Sequence, residues 1–187
     1  MRKLVPAALL GALVLAAPAA AQTHPPQTQK SDPSGDVRVK KKKVPGNKDI
    51  DLLKAEYQYS GATGKPDIWF EYLVRTVKPE RPTLQLYVTE FAVGRYRYRL
   101  YANDLGTATL YVNLGGDWTL KTNCYTWAAI NPGASQFGGN VATGINDCFR
   151  KKAKVKVLYT DTFNFPRGSL KYVARDRMKL GRIIQSS

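Results

Sequence analysis

The stretch Asp67-Ile68-Trp69-Phe70-Glu71-Tyr72-Leu73-Val74-Arg75 decides the fold class. Ile68, Phe70, Tyr72 and Val74 alternate with Trp69, Glu71, Leu73 and Arg75, a period of two. A strand sends alternate residues to opposite faces, so this segment reads as a strand with one apolar face. The same period, carried by β-branched and aromatic residues, recurs at 54–59, 83–92, 95–102, 107–114, 118–122, 153–160, 169–175 and 180–185. Turn chemistry separates the runs: Lys78-Pro79-Glu80-Arg81-Pro82, Asn103-Asp104-Leu105-Gly106 and Gly115-Gly116-Asp117 supply preset or positive φ. With no long amphipathic helix to cover an open sheet, these short strands predict an antiparallel β-sandwich of Ig-like or jelly-roll type, with a small β-barrel as the alternative.

Outward from that core, the chain of 187 residues divides by composition. Arg2 and Lys3 precede an apolar run, Leu4 to Leu15, and then Ala19-Ala20-Ala21, so residues 1–21 read as a signal peptide. Residues 22–50 carry Pro25, Pro26, Pro33, Pro45 and the run Lys40 to Lys43 with little to bury, and read as a flexible tail or linker. Every tyrosine, phenylalanine and tryptophan lies in 51–187, which is expected to be one β-sandwich domain. The tail should therefore be removable without loss of the fold. No later apolar run approaches the roughly 20 residues of a spanning helix, so the expected compartment is secreted or periplasmic.

The only two cysteines, Cys124 and Cys148, are expected to bond in an oxidising compartment. Between them lie Pro132, Gly133, Gly138, Gly139 and Gly144, which suggests a long loop braced by the bridge.

Catalytic chemistry finds little to use. The one histidine, His24, lies in the Pro-rich segment, so the folded part lacks the commonest general base. Gly133 to Gly138 misses the nucleophile-elbow spacing, and Gly61-Ala62-Thr63-Gly64-Lys65-Pro66 misses a phosphate loop because Pro66 stands where a hydroxyl residue is required. Carboxylates such as Glu71, Glu90, Asp117, Asp147 and Asp161 could pair across strands for glycoside cleavage, but their spacing gives no support, and such an enzyme is a distant alternative. Neither a metal site nor a cofactor site is expected, since both cysteines are bridged.

Charge is the positive signal: Lys and Arg number 29 against 14 Asp and Glu, a formal net charge of +15. In Arg95-Tyr96-Arg97-Tyr98-Arg99-Leu100-Tyr101 a strand would send Arg95, Arg97 and Arg99 to one face. Like charges two residues apart in a strand are about 7 Å from each other, within the roughly 8 Å screening length of physiological salt, so the row repels itself unless an anion lies along it. Tyr111 on the following strand should share that face. Lys154 and Lys156 make a second stripe, and Arg175, Arg177, Lys179 and Arg182 a weaker third. Guanidinium and ammonium groups interleaved with tyrosines suit phosphate or sulfate chains.

The sequence thus points to an exported, non-enzymatic binding module. Its basic β-face would engage an anionic polymer or an anionic membrane or cell-wall surface, with nucleic acid, lipopolysaccharide and a cell-wall polyanion as candidate ligands. The alternative is an envelope assembly domain that meets an envelope protein through edge strands or the stapled loop. Trp69, Trp118 and Trp127 are expected in the core rather than as sugar platforms, because tryptophan usually buries most of its area.

Overall fold

A computed structural model describes residues 28–60, 67–77, 82–142, 148–149 and 154–185. Its strands are β1 (Thr28–Ser31), β2 (Arg38–Val39), β3 (Leu52–Ser60), β4 (Asp67–Val74), β5 (Thr83–Val93), β6 (Tyr96–Asn103), β7 (Ala108–Leu114), β8 (Asp117–Leu120), β9 (Tyr125–Asn131), β10 (Gln136–Ala142), β11 (Lys154–Pro166) and β12 (Ala174–Gln185). They form a five-stranded sheet ordered β1-β3-β4-β10-β9 and a seven-stranded sheet ordered β2-β12-β11-β5-β6-β7-β8. All pairings are antiparallel, so the expected β-sandwich is the architecture found.

The alternation read from the sequence explains which side chains meet between the sheets. Ile68, Phe70, Tyr72 and Val74 of β4 are buried, as are Tyr57 of β3 and Phe137 of β10. They face Tyr87 and Phe91 of β5, Tyr98 and Leu100 of β6, and Leu110 of β7. The rings of Tyr87 and Phe137 stack across the sandwich with centroids 3.9 Å apart. Buried phenols need partners. Tyr57 Oη bonds Thr160 Oγ1 at 2.7 Å, Tyr72 Oη bonds Thr89, and Thr89 and Thr160 bond each other at 3.1 Å, so one hydroxyl chain crosses the core.

Three regions differ from expectation. Residues 28–50 do not behave as a free tail: β1 adds to the edge of β3, and β2 to the edge of β12. Asp51, fully buried, accepts the Gly35 N–H at 2.9 Å and the Arg75 guanidinium at 2.6 Å, which closes residues 34–36 onto the body. An edge strand joins through backbone hydrogen bonds and needs few apolar side chains, which is why composition misread it. Residues 1–27 lie outside the described residues, so the signal-peptide reading does too.

The Cys124–Cys148 bond is present, with a Cα separation of 4.9 Å. The ring it closes is not a loop over most of its length, because 125–131 and 136–142 form the hairpin β9–β10, joined by a 3-10 turn at Pro132–Ala134. Glycine is tolerated inside β10 for a packing reason at Gly139, where a Cβ would stand 2.9 Å from Leu100 Cδ2 of the facing sheet.

The third difference concerns tryptophan. Trp69 and Trp127 lie on the outer face of the five-stranded sheet and Trp118 on that of the seven-stranded sheet, all half-buried rather than in the core. Among the described residues no helix is long and apolar enough to cross a membrane.

Candidate polyanion-binding face

Register across the seven-stranded sheet decides what its outer face carries. Ile183, Lys156, Ala92, Arg97, Asn113 and Trp118 form one rung from β12 to β8. Lys179, Tyr159, Glu90, Arg99, Tyr111 and Leu120 form the next, followed by Arg177, Asp161, Val88, Tyr101 and Thr109. The residues between these rungs, such as Phe91, Tyr98 and Leu100, point into the core. Arg97, Arg99, Tyr111 and Lys156 therefore share one face, and Lys154, two residues before Lys156, sits at its end.

Arg95 departs from the expected strand. It occupies the two-residue turn Gly94-Arg95 between β5 and β6, where Gly94 has φ 59°, as a hairpin turn with glycine at its first central position requires. Its guanidinium donates to Tyr96 Oη at 2.9 Å and lies over that ring, and the residue is exposed in the turn.

The self-repulsion inferred for the arginine row has an internal answer. Glu90 of β5, fully buried, accepts from Arg97, from Arg99 Nε at 2.7 Å and from the Tyr159 hydroxyl. One strand farther, buried Asp161 accepts from Arg175 at 2.9 Å and from Arg177 at 2.6 Å through both carboxylate oxygens. Hydrogen bonding to Asp161 raises the pKa of Arg177 above its usual value. In the sequence both carboxylates offer a distant catalytic pair, while a strand carboxylate among so many cations is more often solvated or ion-paired. Their oxygens are taken up by guanidinium groups, which makes them anchors. The available signal was Glu90 in the middle of the otherwise uncharged strand Thr83–Val93, beside a row of arginines.

The aromatic rings on this face hold cations. The Arg99 guanidinium lies 4.0 Å from the Trp118 ring centroid, Arg177 4.0 Å from Tyr159, Arg175 5.4 Å from Phe163, and the Lys40 ammonium 3.8 Å from Tyr172. Each such contact supplies about 0.5–1 kcal/mol at an exposed site and keeps the cation flat against the sheet. Between these groups, over Leu86 and Val88, runs a groove of about 350 Å³ walled by Tyr101, Tyr159 and Phe163. Lys154 and Lys156 are exposed, while Arg182 faces away and donates to Thr28 Oγ1 at 3.3 Å. Arg150, Lys151 and Lys152 lie outside the described residues.

A second charged cluster sits where the sheets meet. Asp32, Asp36 and Asp176 place carboxylate oxygens within 4.8 Å of one another, beside a cavity of about 470 Å³ that Arg38 and Lys179 also line. Asp176 is already engaged, accepting the Leu52 N–H at 2.8 Å and the Arg177 N–H at 2.7 Å, so it ties β3 to β12. Burial and the two neighbouring carboxylates raise the Asp32 pKa to about 6.

No protein-family model matches this chain, and no match to it is found among curated proteins. Among solved structures the chain is similar to a Bacteroides uniformis protein described as a putative carbohydrate-binding protein, at 10% identity over 80% of this chain and 84% of that one, with a TM-score of 0.39. A score that low carries neither topology nor ligand from one protein to the other.

Proposed function

We propose that this chain is an exported, non-enzymatic binding module whose basic sheet face engages an anionic polymer or an anionic membrane or cell-wall surface. The observation that carries the reading is a single face on which Arg97, Arg99, Arg175 and Arg177 are fixed by two buried carboxylates beside exposed Lys154, Lys156 and Lys179, with exposed Arg95 in the adjoining turn. Cations outnumber anions there, and the anchored guanidinium groups are held in place before any ligand arrives, which lowers the ordering cost of binding. Because cations already cover the rings of Trp118, Tyr159, Phe163 and Tyr172, the face acts through charge and hydrogen bonds rather than through base stacking. It should therefore accept phosphate, sulfate and carboxylate chains in proportion to their charge density.

The assembly alternative rests on bare strand edges, and these are mostly short: β2 has two residues, and β1 and β8 four each. Short edges discourage sheet extension by another chain. The charge reading is the better supported of the two.

The test uses the cations that have no buried carboxylate to leave behind. Changing Arg95, Lys154 and Lys156 to Gln should preserve melting temperature and weaken binding to heparin and to duplex DNA. For DNA it should reduce the slope of log affinity against log salt by up to about 2.7, at roughly 0.9 for each phosphate no longer neutralised. Neutralising Lys48, Lys121 and Lys171 removes equal charge elsewhere. Equal losses from the two triple variants would assign binding to net charge and remove the site. Failure of the wild-type chain to bind either polymer would favour the assembly reading.

A further inference from the structure

The outer face of the five-stranded sheet is built on other chemistry. Gln58, Trp69, Asn140 and Trp127 form one rung across β3, β4, β10 and β9, and Glu56, Glu71, Gly138 and Ala129 form the next. Trp69 and Trp127 meet edge to face, with centroids 5.5 Å apart and planes at 88°. Tyr125, 57% exposed at the start of the edge strand β9, lies 5.8 Å from Trp127. These rings are half-buried or exposed, yet no core packing calls for them. The cations found over rings sit instead on Tyr96, Trp118, Tyr159, Phe163 and Tyr172.

The rung beside the indoles is low. Ala129 is exposed, and Gly138 beside it, though buried, adds no side chain above the sheet. Gly139 owes its identity to packing, as its closeness to Leu100 shows, but Gly138 does not: a Cβ there would meet Phe70 O at 3.6 Å and Ala129 Cβ at 3.8 Å, both ordinary contacts. Its backbone has no positive φ, so any residue could adopt it. Glycine weakens a strand interior and marks places where another group comes close. Acceptors and donors border this low row: Glu71 is exposed, and Glu56 and Gln58 are half-buried. Among the described residues of these rungs and their neighbours, Glu56 and Glu71 stand against Lys54, which pairs with Glu56.

We infer that this face is a second binding site, a platform on which Trp69, Trp127 and Tyr125 take the apolar face of a sugar ring while Gln58, Glu56 and Glu71 meet its hydroxyls. A pyranose has an apolar C–H face and a rim of hydroxyl groups, which matches the paired indoles of Trp69 and Trp127 bordered by polar side chains. The excess of carboxylates turns away polyanions, so the ligand is a neutral or amino-sugar glycan and is distinct from the ligand of the basic face.

The experiment titrates the full exported chain with soluble hexamers of β-1,4-linked glucose, N-acetylglucosamine, xylose and mannose, followed by tryptophan fluorescence and calorimetry. At least one should bind with a Kd below about 1 mM, a binding free energy of about −4 kcal/mol or better. Trp127→Ala should weaken it by about tenfold or more, a loss of about 1.4 kcal/mol. Ala129→Arg fills the low row from an exposed position, so it should weaken binding equally while leaving melting temperature unchanged. Lys154→Gln with Lys156→Gln should leave sugar affinity intact. No fluorescence or heat response to any hexamer overturns the site, as does a binder indifferent to both Trp127→Ala and Ala129→Arg. Binding that falls with the lysine pair instead would place the sugar on the basic face and also overturn it. Saturable binding of a polyproline peptide without any sugar would replace the glycan by a peptide and sink the inference.

Discussion

The two outer faces of the sandwich carry charge in opposite ways. On the seven-stranded sheet the acids are buried and the bases lie over them: Glu90 and Asp161 are under 5% exposed, and each holds two arginines. On the five-stranded sheet the pair Lys54–Glu56 lies at the surface with both side chains more than a quarter exposed. A buried carboxylate loses its hydration and depends on its partners, whereas a surface pair is solvated with or without them. The ion pairs of the basic face are thus part of the folding energetics, and that of the other face is hardly so.

The largest expected effect tests that difference directly. Arg97→Gln with Arg99→Gln leaves Glu90 buried with only Tyr159 as a donor and should cost about 3–5 kcal/mol, the usual penalty for breaking a buried pair. Adding Glu90→Gln should recover most of it, because no uncompensated charge then remains. Lys54→Gln on the opposite face should cost less than about 1 kcal/mol. Urea unfolding of the four proteins decides the matter, and equal losses for the Arg97/Arg99 and Lys54 variants would erase the contrast. It follows that a stripe mutant of this kind cannot report on ligand binding alone, since it also weakens the fold.

The disulfide ties the edge strand of the five-stranded sheet to a segment that packs on the seven-stranded sheet. It joins the residue before β9 to the buried segment Cys148-Phe149, whose Phe149 ring packs edge to face on Tyr98, 4.9 Å between centroids. Cys124→Ser with Cys148→Ser should lower stability by up to about 3.5 kcal/mol, from the loop entropy of the ring it closes. The loss should concentrate in β9 and β10, so hydrogen exchange should quicken there before it does in β5 and β6. Uniform acceleration across both sheets would show that the bridge acts on the whole unit.

Smaller again is the contribution of β1 and β2. Deleting residues 22–39 removes two short edge strands and the Gly35 and Ser34 bonds to Asp51, and melting temperature should fall rather than hold. With the loss of about 1–2 kcal/mol expected for one broken hydrogen-bonded lock, the fall is about 2–8 °C. An unchanged melting temperature would return these residues to the status of a tail.

What the sequence made legible was periodicity. Alternation at Ile68 to Val74 and at Arg97 to Tyr101 placed side chains on the correct faces, because a strand's period is fixed by its backbone. It did not reveal which strands lie side by side, and the site depends on that: Glu90 reaches Arg97 and Arg99 through the β5–β6 register, and Asp161 reaches Arg175 and Arg177 through β11–β12. Gly138 and Gly139 read alike as breakers, although one is set by a cross-sheet contact and the other is not. Polar edge strands such as Thr28–Ser31 are held by backbone hydrogen bonds, which leave no compositional trace.

The smallest effect sharpens the comparison at the seam between the sheets, where the carboxylates of Asp32, Asp36 and Asp176 crowd together. Asp32 faces Asp36, Asp176 and Asp51, with Lys30 the cation opposing them, and its pKa rises from 3.8 to about 6. The folded state therefore binds a proton more tightly than the unfolded chain does. That protonation contributes stability which is fully present below about pH 4 and is lost as pH rises through about 6. Asp32 is only half-buried, so screening reduces the contribution to about 1 kcal/mol, or about 2–4 °C in melting temperature. Asp32→Asn should then be more stable than the parent at pH 7 by about that amount and no more stable at pH 4. Asp104 and Asp176 also have raised pKa values, so the parent's total pH dependence is not diagnostic, and the quantity to follow is the difference between parent and variant. If that difference is the same at both pH values, the asparagine acts through packing and the carboxylates at the seam do not oppose one another.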